Sequence, residues 1–232
     1  MSVYAISDLH GRLDLLKQIQ NFLNKNDTVY CLGDCCDRGP NPWETVKEVY
    51  KDNRFIYLKG NHEDILDRAM IDKLKGLESN SSFNIQLLYE NGGEETLNQW
   101  NIEDYRYDWQ SLIHKLPLIS EYINKDNIKI ILCHAGFNIG SNPTKDDLLW
   151  NRSHYFNQDK KSNYIIVHGH TPIPFLINDL KNIYSDLTYK NGAFWYDNNY
   201  KVDIDCGAYA TGQTVLLDLD TFEEHIFYDK IS

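Results

Sequence analysis

The sequence lacks long apolar runs and any regular cysteine spacing. No stretch approaches the roughly 20 apolar residues that a membrane-spanning helix needs, and the opening residues, MSVYAISDLHG, have neither the basic nor the apolar region of a signal peptide. The five cysteines are odd in number and form no CxxC pair, which disfavours both a disulfide framework and a zinc knuckle. We therefore expect a cytoplasmic protein that does not engage membranes.

Basic residues are also in short supply. Lys and Arg number 23 against 34 Asp and Glu, which gives a formal net charge of −11. Such a surface repels nucleic-acid backbones, so we expect no non-specific nucleic-acid binding. An anionic substrate would need locally concentrated positive charge, and bound cations can supply it.

Two familiar phosphate-chemistry motifs are absent as well. No cysteine is followed by arginine at the C-x5-R spacing of phosphatases with a cysteine nucleophile, and no GxxxxGK loop followed by Ser or Thr occurs. Any phosphate chemistry must therefore rest on other residues.

The 232 residues, of which 42% are hydrophobic, suit a single domain, which we place at 1–232. Apolar runs of strand length alternate with helical periodicity early in the chain, with strands at 2–7, 28–32 and 54–58 and helices at 13–23 and 42–50. This alternation predicts an α/β fold built on a parallel sheet.

The middle and the tail of the chain have different residue patterns. Residues from about 62 to 122 are helical in pattern and rich in polar and aromatic residues, which predicts a helical insert packed beside the main layer. Further strands are expected at 128–133 and 164–167. The tail from about residue 183 is expected to form antiparallel hairpins that complete a second sheet.

Polar residues beside glycine follow five of the predicted strands. These strands end in Asp8-Leu9-His10-Gly11, Gly33-Asp34, Gly60-Asn61-His62-Glu63, His134-Ala135-Gly136 and His168-Gly169-His170-Thr171. Taken singly, such residues are ordinary turn chemistry, and a lone histidine after a strand is more often structural than a ligand. Their repetition along one chain points to function, because ligands gather at the carboxyl ends of strands in α/β sheets.

The residue types at these strand ends suit metal ions. Carboxylate, imidazole and amide-oxygen ligands without thiolate are typical of manganese, iron or zinc sites. Asp8 and His10 stand two residues apart and can face the same way on an extended strand end. Asp34 has two carboxylate oxygens and can bridge two cations, which together activate a water for in-line attack on phosphorus. The glycine beside Asp34 would let the backbone approach the metals closely.

The residues that follow Asp34 suit phosphate binding and proton transfer. Arg38 presents a planar fork that matches phosphate oxygens bidentately. Asp37 is predicted to orient His62, which would protonate the leaving oxygen. The alternative is a local ion pair between Asp37 and Arg38 on the turn.

In chain order, the motifs SDLHG, GDCCDRG, GNHED, CHAG and GHTP resemble those of the phosphoprotein phosphatase family of calcineurin-like metallophosphatases. Within it they are most similar to the bacterial and phage serine/threonine protein phosphatases. The resemblance runs from residue 8 to about residue 171. It implies a calcineurin-like α/β/β/α sandwich of two mixed sheets with two divalent metal ions, expected to be Mn²⁺, with Fe or Zn as alternatives.

The resemblance also implies a role for each matching residue. Asp8 and His10 would hold the first metal, Asp34 would bridge, and Asn61, His134 and His170 would hold the second. His62 matches the proton donor with Asp37 as its partner, and Arg38 and Arg152 match the two phosphate-binding arginines. His170 is preferred to His168 because it occupies the GH position before Thr171. Cys35 and Cys36 fill variable positions of the motif and are expected to be small buried side chains rather than catalytic thiols.

The implied activity is phosphoester hydrolysis, with a serine/threonine protein phosphatase acting on a phosphorylated protein as the first expectation. Alternatives with the same centre are a dinucleoside polyphosphate hydrolase and a phosphoesterase of 2′,3′-cyclic nucleotides, RNA ends or small phosphoesters. A binding module that kept the fold without catalysis is the alternative of a different class. The two arginines would bind a phosphate group, but they do not determine which group the phosphate is attached to. The sequence sets no oligomeric state and is compatible with a monomer.

Overall fold

Two five-stranded sheets lie at the centre of the computed structural model, which describes residues 1–100, 108–157, 161–181, 183–184 and 192–229. The strands are β1 Val3–Ile6, β2 Thr28–Cys31, β3 Phe55–Tyr57, β4 Ile119–Ile123, β5 Lys129–Cys133, β6 Tyr164–His168, β7 Phe194–Tyr196, β8 Lys201–Asp203, β9 Gln213–Asp218 and β10 Glu224–Tyr228. The helices are α1 Leu13–Phe22, α2 Pro42–Lys51, α3 Asn61–Leu74, α4 Phe83–Glu90, α5 Glu94–Gln99, α6 Trp109–Lys115, α7 Lys145–Trp150, α8 Ile173–Leu180 and α9 Ala208–Thr211, with a 3₁₀ turn at Ser153–Tyr155.

The first sheet has the order β10-β9-β1-β2-β3 and contains the predicted parallel layer. β1 pairs in parallel with β2 from Val3 opposite Thr28, and β2 pairs in parallel with β3. The crossovers α1 and α2 each carry an apolar face that packs on this sheet. The predicted strand–helix alternation at the start of the chain is confirmed.

The second sheet has the order β4-β5-β6-β8-β7, in which β5, β6 and β8 are parallel. The prediction for the tail is half right. The β7–β8 hairpin completes this sheet, but the β9–β10 hairpin joins the first sheet, where β9 lies antiparallel to β1. β9 is buried on both faces, with Val215 and Leu217 between the sheets and Leu216 toward the helices, and such a strand suits an interior position.

Alternate residues of each inner strand divide between two apolar cores. In β1, Val3 and Ala5 belong to a cluster shared with β5, β6 and β8 of the other sheet, whereas Tyr4 and Ile6 pack with α1 and α2. Burying each large aliphatic side chain contributes roughly 1.5–3 kcal/mol. Smaller clusters under α7 and α8 cover the outer face of the second sheet. The layers are therefore helices, sheet, sheet, helices, which confirms the predicted α/β/β/α sandwich.

Helices α3 to α6 occupy the stretch between β3 and β4, within the predicted helical insert at about 62–122. They pack on the helical side of the first sheet through residues such as Ile65, Leu88 and Trp109. The last residues of the stretch, from Ile119, form β4 at the edge of the second sheet. The assignment of 1–232 to one domain stays a prediction. Among the described residues, no helix has both the length and the apolar character that crossing a bilayer requires.

Candidate metal centre

The six predicted metal ligands come together where the two sheets meet. Asp8 and His10 follow β1, Asp34 follows β2, Asn61 begins α3 after β3, His134 follows β5 and His170 follows β6. All six side chains are buried. Parallel strands put their carboxyl ends on one edge of a sheet, so the fold delivers these loops to one place.

The backbone of this site is under conformational strain. Six non-glycine residues have φ in the left-handed region, between 42° and 75°: Asp8, His10, Asp34, Asp37, Arg38 and His170. Each such residue costs on the order of 1–3 kcal/mol and persists only where the surrounding structure enforces it. Hydrogen bonds between loops do so here, since the amides of Asp8 and His10 donate to the carbonyls of Gly33 (3.1 Å) and Asp34 (2.8 Å). Strain concentrated in this way is typical of functional sites.

The first group of ligand atoms consists of Asp8, His10 and Asp34. His10 donates from Nδ1 to the Cys36 carbonyl at 2.9 Å, so its Nε2 carries the lone pair. That Nε2 lies 3.6 Å from Asp34 Oδ2 and 3.9 Å from Asp8 Oδ1. Within the described part of the chain, Asp8 Oδ1 is buried without a hydrogen-bond partner. A buried carboxylate oxygen and an imidazole lone pair that face one another suit a cation.

The second group consists of His134, Asn61, His170 and Asp34. His134 donates from Nδ1 to the Leu32 carbonyl at 3.0 Å, which leaves the lone pair on Nε2. This Nε2 lies 2.8 Å from Asn61 Oδ1, 3.1 Å from His170 Nδ1 and 3.5 Å from Asp34 Oδ2. A neutral imidazole lone pair and an amide oxygen at 2.8 Å repel each other unless a cation or a proton lies between them.

The electrostatics of the two histidines in this group disfavour a proton on either ring. Burial lowers the pKa of His134, and burial together with the charges of His134 and Arg152 lowers the pKa of His170 well below its usual value. Burial and the nearby carboxylates of Glu63 and Asp8 raise the pKa of Asp34 well above its usual value, and a cation beside this carboxyl group would favour its ionised form. Asp34 forms one compact buried cluster with His10 and His62 and a second with His134 and His170, and both clusters fit a divalent metal ion.

Asp37 and His62 form the predicted pair beside the ligands. The His62 Nδ1 lies 2.6 Å from Asp37 Oδ2, and both side chains are fully buried. His62 also donates its backbone amide to Asp34 Oδ1 at 3.0 Å, which ties it to the candidate bridging residue.

Arg38 lies between two histidines rather than against Asp37. Its Nη1 donates to His10 Nε2 at 2.7 Å and its Nη2 to His62 Nε2 at 2.8 Å. The local ion pair considered as an alternative is therefore not the arrangement of this turn. Because His10 Nε2 has one lone pair, binding a cation there requires Arg38 to release it, and the guanidinium fork then becomes free for an anionic group.

Arg152 and His168 are the remaining arginine and histidine considered in the sequence analysis. Arg152 is exposed at the start of the 3₁₀ turn, and its charge contributes to the lowered pKa of His170. Its role in phosphate binding stays a prediction. His168 is fully buried, and its Nε2 lies 2.7 Å from the Tyr196 hydroxyl.

Glu63 is a residue of the site that the sequence analysis did not single out. Its carboxylate accepts four hydrogen bonds, from the amides of Asp34, Cys35 and Gly60 and from the Tyr57 hydroxyl, at 2.7–2.8 Å. Burial alone would raise the pKa of Glu63, but these hydrogen bonds hold it below its usual value. A glutamate at the third helical position after Gly60 has the spacing of a capping box, and that signal could have identified it.

The structure gives a different reason for the glycine beside Asp34. Gly33 has a φ of 101°, and a Cβ there would collide with the backbone of Gly60. The glycine thus permits contact between the β2 and β3 loops rather than approach to the metals.

Cys35 and Cys36 are fully buried, and burial raises the pKa of both thiols well above the usual value. Neither has the thiolate character of a nucleophile.

Two partly exposed aromatic side chains lie beside candidate ligand histidines, one near His10 and one near His170. Tyr209, on α9, is 41% exposed, and its ring centroid lies 5.8 Å from that of His10 and 5.2 Å from the Arg38 guanidinium carbon. Trp150, at the end of α7, is 37% exposed and its ring lies 5.9 Å from that of His170. The mouth of the site therefore offers an aromatic surface beside each ligand group.

Residues 1–207 match the protein family described as calcineurin-like phosphoesterase. The asymmetrical bis(5′-nucleosyl)-tetraphosphatase PrpE of Oceanobacillus iheyensis is 27% identical over an alignment of 228 residues, and the match covers 82% of this chain and 86% of that protein. The symmetrical bis(5′-nucleosyl)-tetraphosphatase of Wigglesworthia glossinidia brevipalpis is 32% identical over 142 residues, or 59% of this chain, and the match spans less than half, 45%, of that protein.

A solved structure has a similar fold. The metallophosphoesterase from Sphaerobacter thermophilus superposes with a TM-score of 0.56 over 98% of this chain and 87% of that chain, at 18% sequence identity. A likeness at this identity concerns the fold alone.

Proposed function

The chain belongs to the calcineurin-like phosphoesterase family, and from that premise we propose that it hydrolyses dinucleoside polyphosphates with the help of two Mn²⁺ ions. Enzymes of this family use two divalent metals, and the His and Asp groups of this chain fit such a site. Diadenosine tetraphosphate serves as the test substrate.

The names of the relatives support this substrate over a phosphorylated protein. Two bis(5′-nucleosyl)-tetraphosphatases match the chain at 27% and 32% identity. They favour the alternative raised from the motifs rather than the serine/threonine protein phosphatase that was the first expectation.

The observation on this chain that carries the proposal is the aromatic pair at the mouth of the site. Tyr209 and Trp150 are half exposed, and each contacts a candidate ligand histidine. A nucleoside substrate has a base that can stack on such a ring, and one base–aromatic contact contributes roughly 1–3 kcal/mol. A phosphoserine peptide offers no aromatic group at a fixed distance from its phosphorus.

The reaction assigns a role to each group around the phosphorus. Two divalent cations held by Asp8, His10, Asp34, Asn61, His134 and His170 would supply Lewis-acid polarisation of the phosphoryl oxygens and a lowered pKa for the attacking water. Arg38, freed from His10, clamps phosphate oxygens with its planar fork. His62, once Arg38 has released its Nε2 and that nitrogen is protonated, donates this proton to the leaving oxygen while Asp37 holds Nδ1 and thereby fixes the ring.

A substrate panel tests the proposal. With Mn²⁺ added, we expect the kcat/KM for diadenosine tetraphosphate to exceed that for phosphoserine and phosphothreonine peptides by at least about tenfold, which one stacked base accounts for. Separation of the products distinguishes two ADP from AMP plus ATP, and so symmetrical from asymmetrical cleavage.

A phosphopeptide or a 2′,3′-cyclic nucleotide that matches or exceeds the dinucleoside would overturn the substrate assignment. A chain that binds manganese and turns over none of the panel would overturn the catalytic proposal and leave a binding module. The test variant for the stacking contact is Tyr209→Ala, which removes the ring. Its matched control is Tyr209→Phe, which keeps the ring.

A further inference from the structure

Helix α5 reaches the pair of Asp37 and His62 through Thr96. Thr96, in α5, is fully buried, and its hydroxyl donates to Asp37 Oδ1 at 2.5 Å. The other oxygen of the same carboxylate, Oδ2, lies 2.6 Å from His62 Nδ1. Asp37 is therefore held on one side by α5 and holds His62 on the other.

The same hydroxyl also fixes the main chain of Asp37. Thr96 Oγ1 accepts a hydrogen bond from the Asp37 amide at 3.0 Å while it donates to the side chain. These two hydrogen bonds, one accepted and one donated by Thr96 Oγ1, close a small ring with Asp37. The φ of Asp37 is 67°, which is unfavourable for a non-glycine residue. The two bonds fix the plane of the carboxylate, and this plane in turn orients the imidazole of His62.

The residues just before Thr96 shape the space around Asp37 and Arg38. A Cβ at position 93 would stand 2.7 Å from Asp37 Oδ1, so only glycine lets the insert approach this closely. The carbonyl of the preceding Gly92 accepts the Arg38 amide at 2.9 Å. The segment 92–96 thus contacts both residues that follow the cysteines in the GDCCDRG motif.

We propose that Thr96 is a positioning residue for the proton donor: it acts through Asp37 to hold His62 in the orientation that serves the leaving oxygen. This inference rests on the proposed phosphoester hydrolysis at this site, but not on which phosphoester is the natural substrate. Aryl phosphates can therefore test it independently of the dinucleoside assignment.

The test compares a poor with a good leaving group. Thr96→Val keeps the shape of the side chain and removes the hydroxyl, so we expect kcat for phenyl phosphate to fall at least about tenfold more than kcat for p-nitrophenyl phosphate, whose leaving group needs less protonation. The KM for p-nitrophenyl phosphate, the inhibition by inorganic phosphate and the manganese content should stay as in the wild type. Thr96→Ser, which keeps the hydroxyl, should restore the rate on phenyl phosphate.

A double-mutant cycle identifies the route of the effect. In a His62→Asn background, Thr96→Val should cause no further loss, because the group that it positions is gone. The matched control is Thr45→Val, since Thr45 is equally buried and donates its hydroxyl to the Asn41 carbonyl at 2.7 Å on α2. It should leave the ratio of the two substrates unchanged.

Three outcomes would overturn the positioning role: an equal loss on both aryl phosphates, failure of Thr96→Ser to restore the rate, or a further full loss in the His62→Asn background. If Thr96→Val does not fold, Thr96→Ala removes the same hydroxyl with less steric demand, and its comparison with Thr96→Ser decides the question. Failure of the wild type to hydrolyse either aryl phosphate would instead count against the proposed function.

Discussion

Asp34 is the side chain on which the two candidate ligand groups converge. Its Oδ2 lies 3.6 Å from His10 Nε2 and 3.5 Å from His134 Nε2, so one oxygen faces a histidine of each group. The other oxygen, Oδ1, accepts the His62 amide and is thereby fixed in direction. A carboxylate held in this way offers negative charge to both sides at once, which an amide cannot do.

We predict that Asp34→Asn removes most of the bound manganese and lowers kcat for p-nitrophenyl phosphate by at least about 100-fold. The reason is that the cations supply several kcal/mol of transition-state stabilisation, and about 3 kcal/mol corresponds to a factor of roughly 100. Elemental analysis of the dialysed protein and steady-state kinetics measure the two effects together.

The control for this substitution is Asp27→Asn. Asp27 is also buried, but it accepts the amides of Ser2 and Asn24, both at 2.9 Å, just before β2 begins. Its replacement should leave metal content and kcat unchanged. If Asp34→Asn kept full occupancy and turnover, Asp34 would not be a bridging ligand.

At the scale of elements, Glu63 joins two loops that belong to different strands. It lies in the first turn of α3 and accepts the amides of Asp34 and Cys35 from the loop after β2. Because burial opposes ionisation and the hydrogen bonds more than offset it, the pKa of Glu63 lies below its usual value. The ionised carboxylate is thus a structural clamp between β2 and α3.

We predict that Glu63→Gln lowers the free energy of unfolding by roughly 2–4 kcal/mol at pH 7, because the amide presents an NH₂ group to backbone donors and loses charge-assisted bonds. A carboxyl with a lowered folded pKa stabilises the protein above its unfolded pKa of about 4.3 and loses this contribution as the pH falls through the folded pKa. The gap between wild type and variant should therefore be largest at neutral pH and shrink below about pH 4.

Urea unfolding in the presence of a chelator measures this gap without a contribution from metal binding. Glu78→Gln is the matched control, since Glu78 is exposed and pairs with Lys73. A gap that stays constant from pH 7 to pH 3 would show that ionisation of Glu63 is not what holds the two loops.

The elements that the sequence could predict are those with a local signal. Strands such as β1 and β5 are apolar runs followed by a polar residue, and this pattern predicts Asp8 and His134 at the carboxyl ends of strands, where the structure has them. The pairing of β9 with β1 could not be predicted from the sequence, because it depends on how both faces of β9 pack between the layers and not on any residue within β9. The contact made by Thr96 could not be predicted either, because its partner Asp37 is 59 residues away in the sequence.

On the scale of the whole molecule, the candidate centre joins the two sheets. Asp8, His10 and Asp34 come from loops of the first sheet, whereas His134 and His170 come from the second. Direct contacts between the loops already cross this boundary, as in the His170 amide that donates to Asp8 Oδ2 at 2.9 Å. Cations bound at both groups would add a connection between sheets that apolar packing holds together elsewhere.

We predict, therefore, that manganese stabilises the fold as well as enabling turnover. Free Mn²⁺ at about a hundredfold excess over its Kd should contribute about 2.7 kcal/mol, which for a chain of this size raises the Tm by roughly 5–10 °C. A chelator should abolish both this shift and the hydrolysis of p-nitrophenyl phosphate, as calorimetry and kinetics on the same sample would record. Because a chain with a net charge of −11 also attracts cations non-specifically, the decisive comparison is Asp34→Asn, which keeps almost all of the surface charge and should lose most of the shift. An equal shift in wild type and variant would mean that the stabilising manganese binds the acidic surface and not the junction of the two sheets.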